Sequence, residues 1–155
     1  MNGLLPIDKP TGMTSFDVIH RVREATGEQQ VGHMGTLDKA ATGLLVVMIG
    51  RCTKLQQFFG QKVSDYRFAM EFGEQTDSLD QNGEVVGSCA SDHIDAEAIR
   101  AVLPEFVGEI EQRPPQYSAV KIEGKRASDW ARDEEDERRP EPRSVEIRRL
   151  ELVDW

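Results

Sequence analysis

In the stretch GHMGTLDKAATGLL, Gly32 to Leu45, one carboxylate stands alone among glycines, threonines and a histidine, and an apolar run follows it directly. That carboxylate is Asp38. A carboxylate is ionised at neutral pH without help, and it acts as a nucleophile when it is fixed and open to substrate. Glycines on either side permit close approach by a large substrate. A buried strand expected over Leu44 to Ile49 would hold the loop from behind, and His33 and Thr36 add polar groups at its rim. A plainer reading uses the same residues: Asp38 caps the turn DKAATG by accepting a backbone N–H, and His33 is an ordinary loop histidine. Residue types and spacing leave both readings open.

Short elements surround this loop. Leu4, Leu5 and Ile7 predict a brief strand, and Lys9-Pro10-Thr11-Gly12 a turn. Ser15 is placed to cap a helix over Phe16 to Ala25, with Val18, Ile19 and Val22 inward and Gly27 at its end. Leu44 to Ile49 reads as a buried strand closed by Gly50, and Thr53 to Phe59 as a short helix. Tyr66, Phe68, Met70 and Phe72 alternate with Arg67, Ala69 and Glu71, the pattern of a half-buried strand. A turn at Asn82-Gly83 precedes another strand. Asp95 to Gly108 predicts an amphipathic helix interrupted at Pro104. Ser144 to Trp155 looks like a closing strand. Before it, residues 113–143 form a polar insertion with four prolines and a helical piece at Ala127 to Arg132. Strands and helices mix without regular alternation, which gives an α+β class.

The 155 residues suit one domain with a hydrophobic core. No apolar run approaches a membrane span, and Met1 to Asp8 lacks a basic segment followed by an apolar signal core, so a cytoplasmic protein is expected. Cys52 and Cys89 form no CxxC pair and no metal spacing, and a reduced thiol pair is expected. The net charge of −9 argues against a nucleic-acid partner only until it is mapped. Residues 1–70 carry +2, residues 71–112 carry −10 and residues 113–155 carry −1. Arg113 to Arg132 hold 5 basic and 2 acidic residues, so a local basic face remains, and local field governs contact with RNA.

GHMGTLDKAATGLLVVMIGRCTKL closely resembles the catalytic segment of the bacterial tRNA pseudouridine synthase B (TruB) family, whose pattern is GHxGTLDPxATGLL, an apolar strand and GxATK. LPIDKPTGMTS resembles the family's opening LxxxKPxGxTS. DYRFAMEFGEQTDSLDQNGEVV resembles YxxxxxxGxxTDTxDxxG, and PPQYSAVKIEGKRASDWAR resembles PPxYSAxKxxGxRAYxxAR. The segments keep the family's order and run from Leu5 to Arg132.

The resemblance implies a pseudouridine synthase-like mixed, largely antiparallel sheet flanked by helices, with an RNA-gripping loop inserted at 113–143. It implies an isomerase that turns the T-loop uridine of tRNA (position 55) into pseudouridine without metal or organic cofactor. The glycosidic bond breaks, the uracil turns, and it rejoins through carbon, on a base flipped out of its stack. On this resemblance Asp38 is the catalytic carboxylate. Tyr66, otherwise a core aromatic, stacks on the flipped base and helps remove a proton. His33 fills the space the base leaves, and Thr36 lines the loop. Lys9 and Lys54, otherwise solvated surface lysines, have separate roles: Lys9 supports the active-site loop, with phosphate contact as its second option, and Lys54 touches backbone phosphate. Lys121, Lys125, Arg126 and Arg132 meet the tRNA T-arm, and Tyr117 packs on the cleft or on RNA. Contacts of this kind position RNA by shape rather than read its bases.

Some positions depart from the family pattern. Lys39 stands where the family has proline, Ser128 where it has tyrosine, and Asp133 to Glu137 put five acids beside the gripping loop. The family continues with a segment like KGTYIR, whose arginine pairs with the catalytic aspartate, and with a small C-terminal RNA-binding domain. The expectation is that residues 1–155 are the N-terminal part of such a catalytic domain, with an open sheet edge that invites self-association. Two other classes compete: a catalytically weak tRNA-binding module of the same fold, and an unrelated metal phosphoesterase built on Asp77, Asp80 and His93.

Overall fold

The computed structural model describes residues 1–59, 63–115, 121–122, 124–126 and 140–155. It has two compact units, Met1–Arg67 and Phe68–Trp155. In the first, β1 (Gly3–Lys9), β2 (Val31–Met34) and β3 (Gly43–Ile49) form an antiparallel sheet in the order β1-β3-β2. The apolar run of β3 takes the centre, where neighbours on both edges satisfy its backbone. β1 pairs along all of β3, with Gly3 opposite Ile49 and Lys9 opposite Gly43. The stretch Val31–Met34, expected as loop, is a strand; four residues including a glycine are too few to show a period.

Helix α1 (Ser15–Thr26) covers one face of this sheet. Its Val18, Ile19 and Val22 pack with Val31, Leu45, Val47 and Ile49, and each fully buried aliphatic side chain contributes about 1.5–3 kcal/mol. The cap is Thr14 rather than the expected Ser15. Thr14 Oγ1 accepts the Asp17 N–H at 3.1 Å, and the Asp17 carboxylate accepts the Thr14 N–H at 2.8 Å and the Thr14 hydroxyl at 2.7 Å. This reciprocal box satisfies two otherwise orphaned donors, and it leaves the Ser15 hydroxyl for another partner.

The box carries a pH signature. The Thr14 hydroxyl, then the Thr14 N–H, hold the Asp17 carboxyl below the ordinary aspartate value of 3.8. A lowered folded-state value means that stability is present above the ordinary value and lost as pH falls through the folded one. Asp17→Ala is therefore expected to melt below the wild type at neutral pH. The gap should close only when acidification passes below the ordinary aspartate range, as followed by circular dichroism across pH.

The second unit holds a hairpin of β4 (Glu74–Thr76) and β5 (Val85–Ser88), then α2 (Ala96–Val102), capped by Asp95 through Ala98 N–H at 2.8 Å. At Pro104 the α-helix yields to a 3-10 turn over Leu103–Phe106. β6 (Gly108–Gln112) pairs antiparallel with β9 (Arg143–Ile147) up to Gln112 opposite Arg143, so the insertion leaves and re-enters side by side. Within it, β7 (Lys121–Ile122) pairs with β8 (Lys125–Arg126). Among the described residues of this unit only Pro114 and Pro140 are buried.

The class is α+β, as expected. The expected single mixed sheet is instead, among the described residues, four small sheets, all antiparallel. The closing strand stops at Ile147, where the five residues of β6 run out. Residues 63–71 form no strand despite their alternation, and all are exposed. Alternation marks which face would be buried, but a strand also needs a ladder partner, and none is found among the described residues. The helical piece expected at Ala127 to Arg132 lies outside the described residues. Cys52 and Cys89 are free thiols. Among the described residues no helix is long and apolar enough to cross a membrane.

Candidate active site

Asp38 lies on the loop that joins β2 to β3, and its side chain is exposed. The backbone around it is tied down on both sides. On one side, Leu37 N–H donates to Ser15 Oγ at 3.0 Å, and the Ser15 hydroxyl donates back to Leu37 O at 3.2 Å. Leu37 also packs against the core. On the other side, Gly12 N–H donates to Lys39 O at 2.8 Å, and the Thr11 hydroxyl to Ala40 O at 3.1 Å. Gly12 makes its bond at a φ of +83°, a conformation that favours glycine. The plainer reading of Asp38 as a turn cap does not hold. The Ala41 N–H goes to the Asp38 backbone carbonyl at 3.1 Å, and no bond to the carboxylate is found among the described residues.

The tethers share one foundation. Lys9 ends β1 opposite Gly43 and is fully buried, at 0% exposure. Its Nζ donates to Pro10 O at 3.0 Å and to Met13 O at 2.7 Å, shaping the turn that supplies Thr11, Gly12 and Ser15. A lysine sealed in this way is not a solvated surface residue; its two bonds hold the turn from which Thr11, Gly12 and Ser15 reach the Asp38 loop. Ser15, read from sequence as a helix cap, was the positioning residue missed, and the Thr14-x-x-Asp17 box was the signal that frees it. Ser15→Ala leaves the Leu37 N–H and C=O without their partner in a buried place. It is expected to lower stability by about 1–3 kcal/mol in a denaturant titration.

His33 belongs to β2 rather than to the loop, opposite Val47 and half-buried. Its Nδ1 lies 2.6 Å from Gly35 O; a carbonyl only accepts, so Nδ1 carries a proton. Thr36 is exposed on the loop, two residues before Asp38. Lys54 is exposed on the 3-10 helix Gly50–Phe58, beyond the far end of β3. Six strand steps, about 20 Å, separate that end from Gly43, so Lys54 stands apart from the Asp38 loop. Tyr66 is 80% exposed, with no hydrogen bond or aromatic contact among the described residues; it is not the core aromatic of the plainer reading. Lys121 and Arg126 face each other in the β7–β8 register, with Lys125 opposite Ile122. Tyr117 and Arg132 lie outside the described residues.

Asp77 and Asp80 serve their hairpin turn. Asp77 Oδ1 accepts the N–H groups of Ser78 at 2.7 Å and Glu84 at 2.9 Å. Asp80 Oδ1 accepts the Asn82 N–H and the Ser78 hydroxyl, both at 2.8 Å, and these bonds hold its carboxyl below the usual range. The phosphoesterase reading loses its ligands to the backbone.

Residues 23–155 match the family model described as TruB family pseudouridylate synthase, N-terminal domain. The chain is 39% identical over its whole length to the tRNA pseudouridine synthase B of Acaryochloris marina, covering 53% of that protein. It is 46% identical over 85% of its length to that of Aquifex aeolicus, covering 46% of it. It is 40% identical over its whole length to that of Endomicrobium trichonymphae, covering 67% of it. The chain thus spans about half the length of most of the curated relatives it matches. A crystal structure of a Cbf5-Nop10-Gar1 complex contains a similar fold, with a TM-score of 0.57 and 23% identity over 97% of this chain and 36% of that one.

Proposed function

The chain belongs to the TruB family of pseudouridylate synthases, and from that premise we propose that it isomerises the T-loop uridine of tRNA to pseudouridine, with Asp38 as the reacting carboxylate. The observation that carries this reading is the exposed Asp38 carboxylate, without a hydrogen-bond partner among the described residues, on a backbone pinned at Leu37, Lys39 and Ala40. Pre-positioning of this kind lowers a barrier because the ordering is complete before substrate arrives. Asp38 engages the flipped uridine. The N1–C1′ bond breaks, the uracil turns, C5 bonds to C1′, and the C5 proton leaves to solvent while N1 regains one.

In this reading Tyr66 stacks on the extruded base and Thr36 contacts it at the loop rim. His33, held by Gly35, fills the gap left in the RNA. Lys54 meets the RNA backbone away from the reacting uridine. Residues 113–143 form the RNA-gripping insertion, where Lys121, Lys125, Arg126, Arg132 and Tyr117 hold the T-arm. No metal or organic cofactor takes part, and tRNA is the partner.

The test is a T-arm stem-loop incubated with the chain and mapped for pseudouridine by carbodiimide labelling. A single labelled position at the T-loop uridine is expected, and none in a stem-loop carrying cytidine there. Tight binding without any labelled position would replace the synthase by the tRNA-binding module.

A further inference from the structure

We propose that Lys39 and Phe16 form a second RNA contact at the rim of the Asp38 loop, Lys39 pairing with a backbone phosphate and Phe16 stacking on an unpaired base beside the flipped uridine. This rests on the reading of Asp38 as the reacting carboxylate.

Lys39 directly follows Asp38 and is exposed, while its carbonyl is held by Gly12 N–H at 2.8 Å. Its charge therefore projects from a fixed root beside the carboxylate, where a phosphate flanking the reacting nucleotide must pass. Phe16 follows Ser15, the residue that grips Leu37, so the first turn of α1 and the Asp38 loop meet on one stretch of surface. Phe16 is 58% exposed, on the solvent side of a helix whose other face is buried in the core. Its ring is held: His20, one turn on, meets it with centroids 4.6 Å apart at 86°. Asp17, between them in sequence, commits its carboxylate to Thr14. That carboxyl is also lowered, after its bonds to Thr14, by the nearby charges of His20 and Lys39. An exposed, braced aromatic on α1 and a cation on the loop that Ser15 ties to it supply the two kinds of group that hold single-stranded nucleic acid.

The test measures binding of a T-arm stem-loop across a salt series for the wild type, Lys39→Gln, Phe16→Ala and Phe16→Trp. Lys39→Gln is expected to weaken Kd several-fold and to reduce the salt slope by about 0.7. Phe16→Ala is expected to weaken Kd by about five-fold or more with the slope unchanged, and Phe16→Trp to restore wild-type Kd. If the wild type binds and isomerises the RNA while all variants bind as it does, this contact is overturned and the role of Asp38 survives. If Asp38→Asn isomerises as the wild type does, the underlying reading falls instead. A chain that neither binds nor isomerises the RNA overturns both.

Discussion

Asp38→Asn is expected to cut pseudouridine formation by about a thousand-fold or more, the scale of losing a reacting group, with RNA affinity nearly unchanged. The amide keeps the shape of the carboxylate and loses its charge and nucleophilicity. The fold should not notice. The tethers at Leu37, Lys39 and Ala40 all use backbone atoms of the loop, and none uses the Asp38 side chain. Asp38→Ala should accordingly leave stability within about 0.5 kcal/mol of the wild type, whereas loss of a true cap would cost about 1 kcal/mol. Chromatography of digested RNA, a binding titration and a denaturation curve on the same three proteins separate these roles.

Lys9→Met is expected to have the largest effect on stability, a loss of about 2–4 kcal/mol. Each hydrogen bond from a charged donor is worth about 1.5–3 kcal/mol, and two carbonyls, of Pro10 and Met13, would lose theirs. Removing a buried ammonium offsets part of that loss, which sets the range below the simple sum. The effect should travel. With the turn at Thr11 and Gly12 loosened, the Asp38 loop loses its position, and turnover should fall by about ten-fold or more while the salt slope of RNA binding holds. A surface lysine that met phosphate would behave the opposite way, with unchanged stability, weaker binding and a smaller salt slope. Urea denaturation together with a split of kcat from KM decides between them.

Much of the first unit was legible because its signals are local. The period of Val18, Ile19 and Val22 marked the inner face of α1, and the unbroken run Leu44 to Ile49 marked the central strand. What was not legible depends on partners distant in sequence. Tyr66, Phe68 and Met70 alternate cleanly, yet alternation cannot say whether another strand arrives to pair with them. β6 was hidden for the reverse reason: Glu109 and Glu111 blur its pattern, and its partner β9 starts 31 positions after Gln112. Around the site, the sequence motif picked out Asp38 and offered Lys9 as a support of its loop, but it left solvated surface open for Lys9, because burial of a cation depends on carbonyls that only the folded turn supplies. Ser15 looked like a cap because Ser, Thr and Asp are near-equivalent there, and only the reciprocal geometry with Asp17 chose Thr14.

The most direct measurement is tritium release from T-arm RNA labelled at uracil C5, with the unaltered chain and Asp38→Asn side by side. Isomerisation through carbon must expel the C5 hydrogen, so release reports the chemistry itself rather than binding. Release by the unaltered chain and none above background with Asp38→Asn is the expected result. Equal release by both proteins, or none by the unaltered chain, would contradict the assignment of Asp38 as the carboxylate that reacts with uridine.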